Sequence, residues 1–176
     1  DAFALLSIEL DQFDKINDTL GLFTGDDVLR QLAQRITRIV RSADLLGHFD
    51  LEEESAVNLF HFERGVFSLI LHRLHRERDA ARAAQRLLEA IRQPLKIGST
   101  EIYVTASIGI VTFPNDGDSV DTLLRHADTA MYHAKAQGPN CFSHYSKRMN
   151  EIVTQRLDIE NGLAVAVERN DLVHAL

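Results

Sequence analysis

The chain has 176 residues, 45% apolar and 26% charged, enough for one domain with a sizeable core and a short appendage. Nineteen basic against 26 acidic residues leave a net charge of −7, which argues against non-specific nucleic-acid binding. Cys141 is the only cysteine, excluding a disulfide framework or cysteine-based zinc site, and no apolar run approaches the roughly 18 residues of a membrane span.

Phe3 to Leu10 is an apolar run of strand length that ends in Glu9-Leu10-Asp11. A short helical stretch carrying Phe13, Ile16 and Leu20 is stopped by Gly21. Thr24 is expected to cap a longer helix, with Val28, Leu29, Leu32, Ile36, Ile39 and Val40 as its apolar stripe. After the acidic stretch 50–55, AVNLFHF and VFSLIL flank Glu63-Arg64-Gly65 and read as a β-hairpin. Arg73, Arg76 and Arg78 beside His72 and His75 suggest a solvated basic loop.

Asp79 to Gln93 has helical character and Pro94 closes it. LKI and EIYVTASIGIVTF, around Gly98-Ser99-Thr100, suggest a second hairpin. Ser119 starts a helix to about Gln137, and CFSHY follows as a short strand. The order is β-α-β-β-α-β with further α-β additions, which fits a ferredoxin-like α/β (α+β) core. From Ser146 to Arg169, Met149, Ile152, Leu157, Ile159, Leu163 and Val167 fall near helical spacing, predicting a helix that leaves the domain.

Four segments in order resemble the GGDEF domain, the family that makes cyclic di-GMP from two GTP molecules. They are IELDQFDKINDTLGLFTGDDVL (8–29), RSAD (41–44), VTASIGIVTFPNDGD (104–118) and LLRHADTAMYHAKAQGPN (123–140). The resemblance implies a nucleotidyl-cyclase-type core with a central, mainly antiparallel sheet flanked by helices. It places the domain at 1–145, starting without the family's N-terminal helix, and makes 146–176 a helical connector towards an EAL phosphodiesterase domain in the same chain.

At the positions that carry chemistry the resemblance is incomplete. It implies Glu9 as the strand-end metal ligand, where the family has Asp. Aligning FSLIL with the strand after the signature puts Glu63-Arg64-Gly65-Val66-Phe67 where GGDEF should stand, so the second metal-ligating acid is lost at Gly65. The lysine of the family's DxDxFK pattern is Asp14. Lys135 is retained as a phosphate contact, but the basic residue expected four positions on is Pro139.

The resemblance also marks Asn17 and Asp26 as the residues that read guanine. Taken alone, Asn17 is equally suited to ordering a turn, and Asp26 to the favourable dipole at a helix start. Arg41 and Asp44 fit the R-x-x-D inhibitory site that binds cyclic di-GMP. The nineteen-position step from Asp44 to Glu63 implies an insertion around 47–57.

The function these residues imply is a degenerate GGDEF domain without catalytic residues, regulating or scaffolding an adjacent EAL domain. The alternatives are a sensor of GTP or cyclic di-GMP and a diguanylate cyclase with remnant activity. No cofactor is required on this reading, and Mg²⁺ enters only if GTP binds. Partners are the EAL domain, GTP or cyclic di-GMP, and a second copy in a homodimer, with no nucleic acid and no membrane contact. The location expected is cytoplasmic, with any membrane anchor elsewhere in the parent protein. His126 and His133, seven apart, have no partner in the sequence that completes a metal set.

Overall fold

The computed structural model describes residues 2–41, 57–62, 65–72, 74 and 76–168. It divides into two compact units, Asp1–Tyr145 and Ser146–Leu176. The elements of the first are β1 (Phe3–Leu10), α1 (Phe13–Leu20), α2 (Leu22–Arg41), β2 (Val57–Phe62), β3 (Val66–His72) and α3 (Glu77–Ile91). They continue with β4 (Leu95–Ile97), β5 (Thr100–Ile102), β6 (Ala106–Phe113), α4 (Val120–Gln137) and β7 (Cys141–His144).

The main sheet runs β2-β3-β1-β6-β7. All its pairings are antiparallel except β6 with β7. This is the expected βαββαβ arrangement, with β1 at the centre and one added parallel strand. Alternation along β1 sends Ala4, Leu6, Ile8 and Leu10 to one face, where Val28, Leu32 and Ile36 of α2 and Leu87 and Ile91 of α3 cover them. Each fully buried Leu, Ile or Val on this face contributes about 1.5–3 kcal/mol.

The other face carries Ser7 at its centre, in register with Ser68 on β3 and Gly109 on β6, and Gly109 with Ser143 on β7. This row of small residues lets α4 settle close to the sheet through Leu123, Ala127, Ala130, Met131 and Ala134. Ser119 caps α4 as expected, accepting from the Thr122 amide at 3.2 Å. Arg35 of α2 closes the end of α3 by donating to the carbonyls of Ala90, Gln93 and Pro94 at 3.0, 2.6 and 3.0 Å.

Three local expectations are corrected. Thr24 does not cap α2, which starts at Leu22; its hydroxyl donates back to the Leu20 carbonyl at 2.9 Å. Gly21, at φ +88°, makes the break between α1 and α2 instead. The run 101–113 is not one strand: β4 and β5 form a separate two-stranded sheet, and β6 starts anew at Ala106. The basic loop is shorter than expected, because α3 begins at Glu77 and takes in Arg78.

The second unit is described by α5, Lys147–Glu168. Arg156 and Glu160 pair at 3.0 Å along it, and Ile152, Leu157, Ile159, Leu163 and Val167 are exposed. Among the described residues no helix is long and apolar enough to cross a membrane.

Candidate functional site

The site gathers where β1 ends. Register places Glu9 opposite Val66 of β3 on one side and Ser107 of β6 on the other. Phe62 is in register with Val66 across the β2–β3 hairpin. Glu63 and Arg64 lie outside the described residues. Gly65 is buried at φ +78°, and a Cβ built on it would come 2.9 Å from the Phe13 ring. Neither Gly65 nor Val66 brings a side-chain oxygen to the hairpin.

Lys135, in the last turn of α4, reaches across to Glu9, its Nζ 2.5 Å from Oε1. Both groups are partly solvated, with 41% and 27% of the side chains exposed. The residues expected as phosphate contact and as strand-end metal ligand are therefore partners of one another. Asp14 is exposed in the first turn of α1, and Pro139 is exposed in the turn between α4 and β7.

Asp11, which the sequence reading left without a role, is the best-connected carboxylate of the site. Its two oxygens accept from Thr105 Oγ1 at 2.6 Å, Ser107 Oγ at 2.7 Å and the Asn140 amide at 3.1 Å. Asn140 takes φ +58°, so Asp11 ties the end of β1 to the start of β6 and to the turn before β7. It lies in the same acidic run as Glu9, but its partners are 94, 96 and 129 residues away.

Asn17 and Asp26 sit on adjoining helices. Asn17 of α1 is half-buried with its amide oxygen against Gly25, where a Cβ would come within 1.8 Å. Gly25 thus provides the space between α1 and α2 that Asn17 occupies. Asp26 follows at once and is exposed. Arg41 is the last residue of α2, while Asp44 and the insertion lie outside the described residues.

Beneath Lys135 on α4, Asp128 Oδ1 accepts from Ser7 Oγ at 3.2 Å. Burial raises the Asp128 carboxyl above the usual carboxylate range, the Ser7 bond opposes this, and the nearby Glu9 charge adds to the rise. A raised folded-state value means that its contribution to stability is present at low pH and is lost as pH rises through that value. Asp128→Asn keeps an acceptor for Ser7 and removes the charge. The variant is expected to be at least as stable as wild type at pH 7, with wild type gaining on it as pH falls towards about 4. Thermal melts across that range check this, and a variant several degrees less stable at pH 7 would contradict it.

The histidines of α4 are engaged in packing. His126 Nδ1 lies 2.6 Å from the Asp116 carbonyl and Nε2 lies 3.1 Å from the Tyr145 hydroxyl, while His133 Nδ1 lies 3.2 Å from Ser143 Oγ. Among the described residues no three His, Cys, Asp or Glu side chains cluster to hold a metal. A groove of about 470 Å³ between α3 and β7, unforeseen from sequence, presents Arg78, Arg82 and Arg86 one turn apart beside Phe142.

The family model described as "Diguanylate cyclase, GGDEF domain" matches residues 1–141. The chain belongs to the GGDEF domain family. The bifunctional diguanylate cyclase/cyclic di-GMP phosphodiesterase MucR of Pseudomonas aeruginosa is 35% identical over 97% of this chain. The cyclic di-GMP phosphodiesterase NbdA of the same organism is 29% identical over 96%. The chain spans only 23% and 20% of the length of these two relatives.

Among solved structures, an EAL/GGDEF domain protein from M. capsulatus is 34% identical with a TM-score of 0.72, covering 83% of this chain and 86% of that one. The GGDEF domain of TpbB from P. aeruginosa superposes with a TM-score of 0.76 at 28% identity, covering 88% and 83%. The GGDEF fold expected from the four motifs is therefore present, and it belongs to cyclic di-GMP signalling.

GGDEF domains use Mg²⁺ with GTP. The donor set here does not suit that ion. Mg²⁺ is held by oxygen ligands in near-octahedral geometry, usually one or two carboxylates plus substrate phosphates. At the end of β1, Glu9 is already paired with Lys135 and Asp11 is held by Thr105, Ser107 and the Asn140 amide, while Gly65 and Val66 of the hairpin add no carboxylate.

Proposed function

We propose that this GGDEF domain is a non-catalytic regulatory or scaffolding module that controls an EAL phosphodiesterase domain of the same protein. The observation that carries the reading is the hairpin opposite Glu9, where Gly65 stands at the position expected for the metal-ligating acid and Val66 at that of the neighbouring acid. Joining nucleotides requires positioned charge around the triphosphate, and losing one such contact typically costs roughly 10²–10³ in rate. Several contacts are missing together, at Gly65, Val66, Asp14 and Pro139.

The domain then spans 1–145 and acts through α5 as connector, in the cytoplasm. The relatives whose names join the two activities or the two domains support the pairing with an EAL domain. Comparing the phosphodiesterase rate of the full-length protein with that of a version lacking residues 1–145 tests the role. An unchanged rate and unchanged assembly would remove the regulatory reading. Incubation with GTP and Mg²⁺ or Mn²⁺ is expected to yield no cyclic di-GMP.

A second reading, a sensor of GTP or cyclic di-GMP, is favoured by two features. Asn17 is held between α1 and α2 beside Asp26, and an amide and a carboxylate can read the edge of guanine. The three arginines on α3 provide planar guanidiniums suited to phosphate. Calorimetry with GTP and with cyclic di-GMP tests it, using Asn17→Ala for one ligand and Arg41→Ala and Arg82→Ala for the other. No heat at millimolar ligand would remove it.

A further inference from the structure

We infer that the ammonium of Lys135 occupies Glu9 against entry of a divalent metal, and that the hairpin backbone blocks recovery of a metal site by an acid at position 65. The inference rests on the non-catalytic reading above and extends it to the charge balance of the site. A carboxylate at the end of a strand, with no metal on it, attracts the cationic side chain within reach. Lys135 is that side chain, with Nζ 2.5 Å from Glu9 Oε1, on a helix seated on the sheet by Gly109. A divalent ion entering here would have to displace that ammonium, and would gain one carboxylate and no second one from Gly65 or Val66.

The backbone adds a second obstacle. Gly65 holds φ +78°, a conformation that L-residues with a Cβ rarely adopt. The direction its side chain would take is filled by Phe13, whose ring atoms would lie 2.9 and 3.0 Å from the new Cβ. Phe13 is only 5% exposed and belongs to the main core, so it has no free space to retreat into. An aspartate at 65 therefore meets strain and a clash before its carboxylate can reach Glu9.

The test is a Mn²⁺ titration of the chain, read by loss of the free-ion paramagnetic resonance signal. Wild-type protein is expected to take up no Mn²⁺ at millimolar concentration. Lys135→Met should free Glu9 and bind Mn²⁺ about tenfold or more tighter than wild type, a modest figure for removing a contact charge at a partly solvated site. Adding Glu9→Gln to Lys135→Met should abolish the gain. Gly65→Asp should melt at lower temperature and gain no Mn²⁺ binding.

Uptake by wild type, no gain in Lys135→Met, or a stable Gly65→Asp protein that binds Mn²⁺ would each overturn the inference. None of these readouts involves turnover. Mn²⁺ uptake without cyclic di-GMP formation defeats only this inference, whereas product formation defeats the non-catalytic reading itself.

Discussion

Replacing Gly109 with alanine is expected to destabilise the domain by roughly 3 kcal/mol, the upper part of the usual range for overpacking. An added Cβ would stand 2.1 Å from the Ala127 carbonyl oxygen, 2.3 Å from the Met131 amide nitrogen and 2.9 Å from the Met131 Cα. All three are backbone atoms of α4, so no side chain can rotate away, and the helix itself must lift from the sheet. For a domain of this size the melting temperature should fall by roughly 10 °C.

The displacement would also carry Lys135 and Asp128, both on α4, away from Glu9 and Ser7. Gly162 of α5 meets nothing within 4 Å at the corresponding position, and Gly162→Ala provides the control, with no loss of stability expected. Thermal unfolding followed by circular dichroism measures both. A Gly109→Ala loss below about 1 kcal/mol would mean that α4 is not seated on the sheet as described.

The second large effect is expected at Asp11. Asp11→Ala removes the common acceptor of two hydroxyls and one amide, and Ser107, fully buried, is left with an unsatisfied oxygen. Hydrogen bonds to a charged group contribute about 1.5–3 kcal/mol each but do not sum within one cluster. A total of about 2–4 kcal/mol is therefore the expected loss. Asp11→Asn keeps one acceptor and should cost about half as much. Denaturant titration of both variants settles the order, and an Asp11→Ala protein within about 0.5 kcal/mol of wild type would show that water replaces these bonds.

The two residues illustrate where reading the chain stops. β1, the β2–β3 hairpin and the Ser119 start of α4 follow from local patterns, because alternation, turn residues and caps act over a few positions. The 101–113 run misleads for a non-local reason. Its residues are uniformly strand-forming, but the Asp11 amide donates to the Thr105 carbonyl at 2.8 Å and the Asp11 carboxylate holds Thr105 and Ser107, which brings β6 against β1 while β5 turns back on β4. Thr24 is a local misreading: Gly21 already breaks the chain, so the helix starts before the threonine can cap it.

The candidate site divides in the same way. That Gly65, Val66, Asp14, Asn17, Asp26 and Lys135 stand at these positions is a matter of residue identity, and the chain alone determined it. What Lys135 does was decided only by tertiary structure, since its partner Glu9 is 126 residues away and meets it because α4 lies across β1. The same packing decided that Gly109 admits no side chain, that Gly25 makes room for Asn17, and that Gly65 lies against Phe13. Composition and short motifs report which groups are present. Which charge neutralises which, and where a Cβ has no space, depends on chain segments brought together by the hydrophobic burial of distant strands and helices.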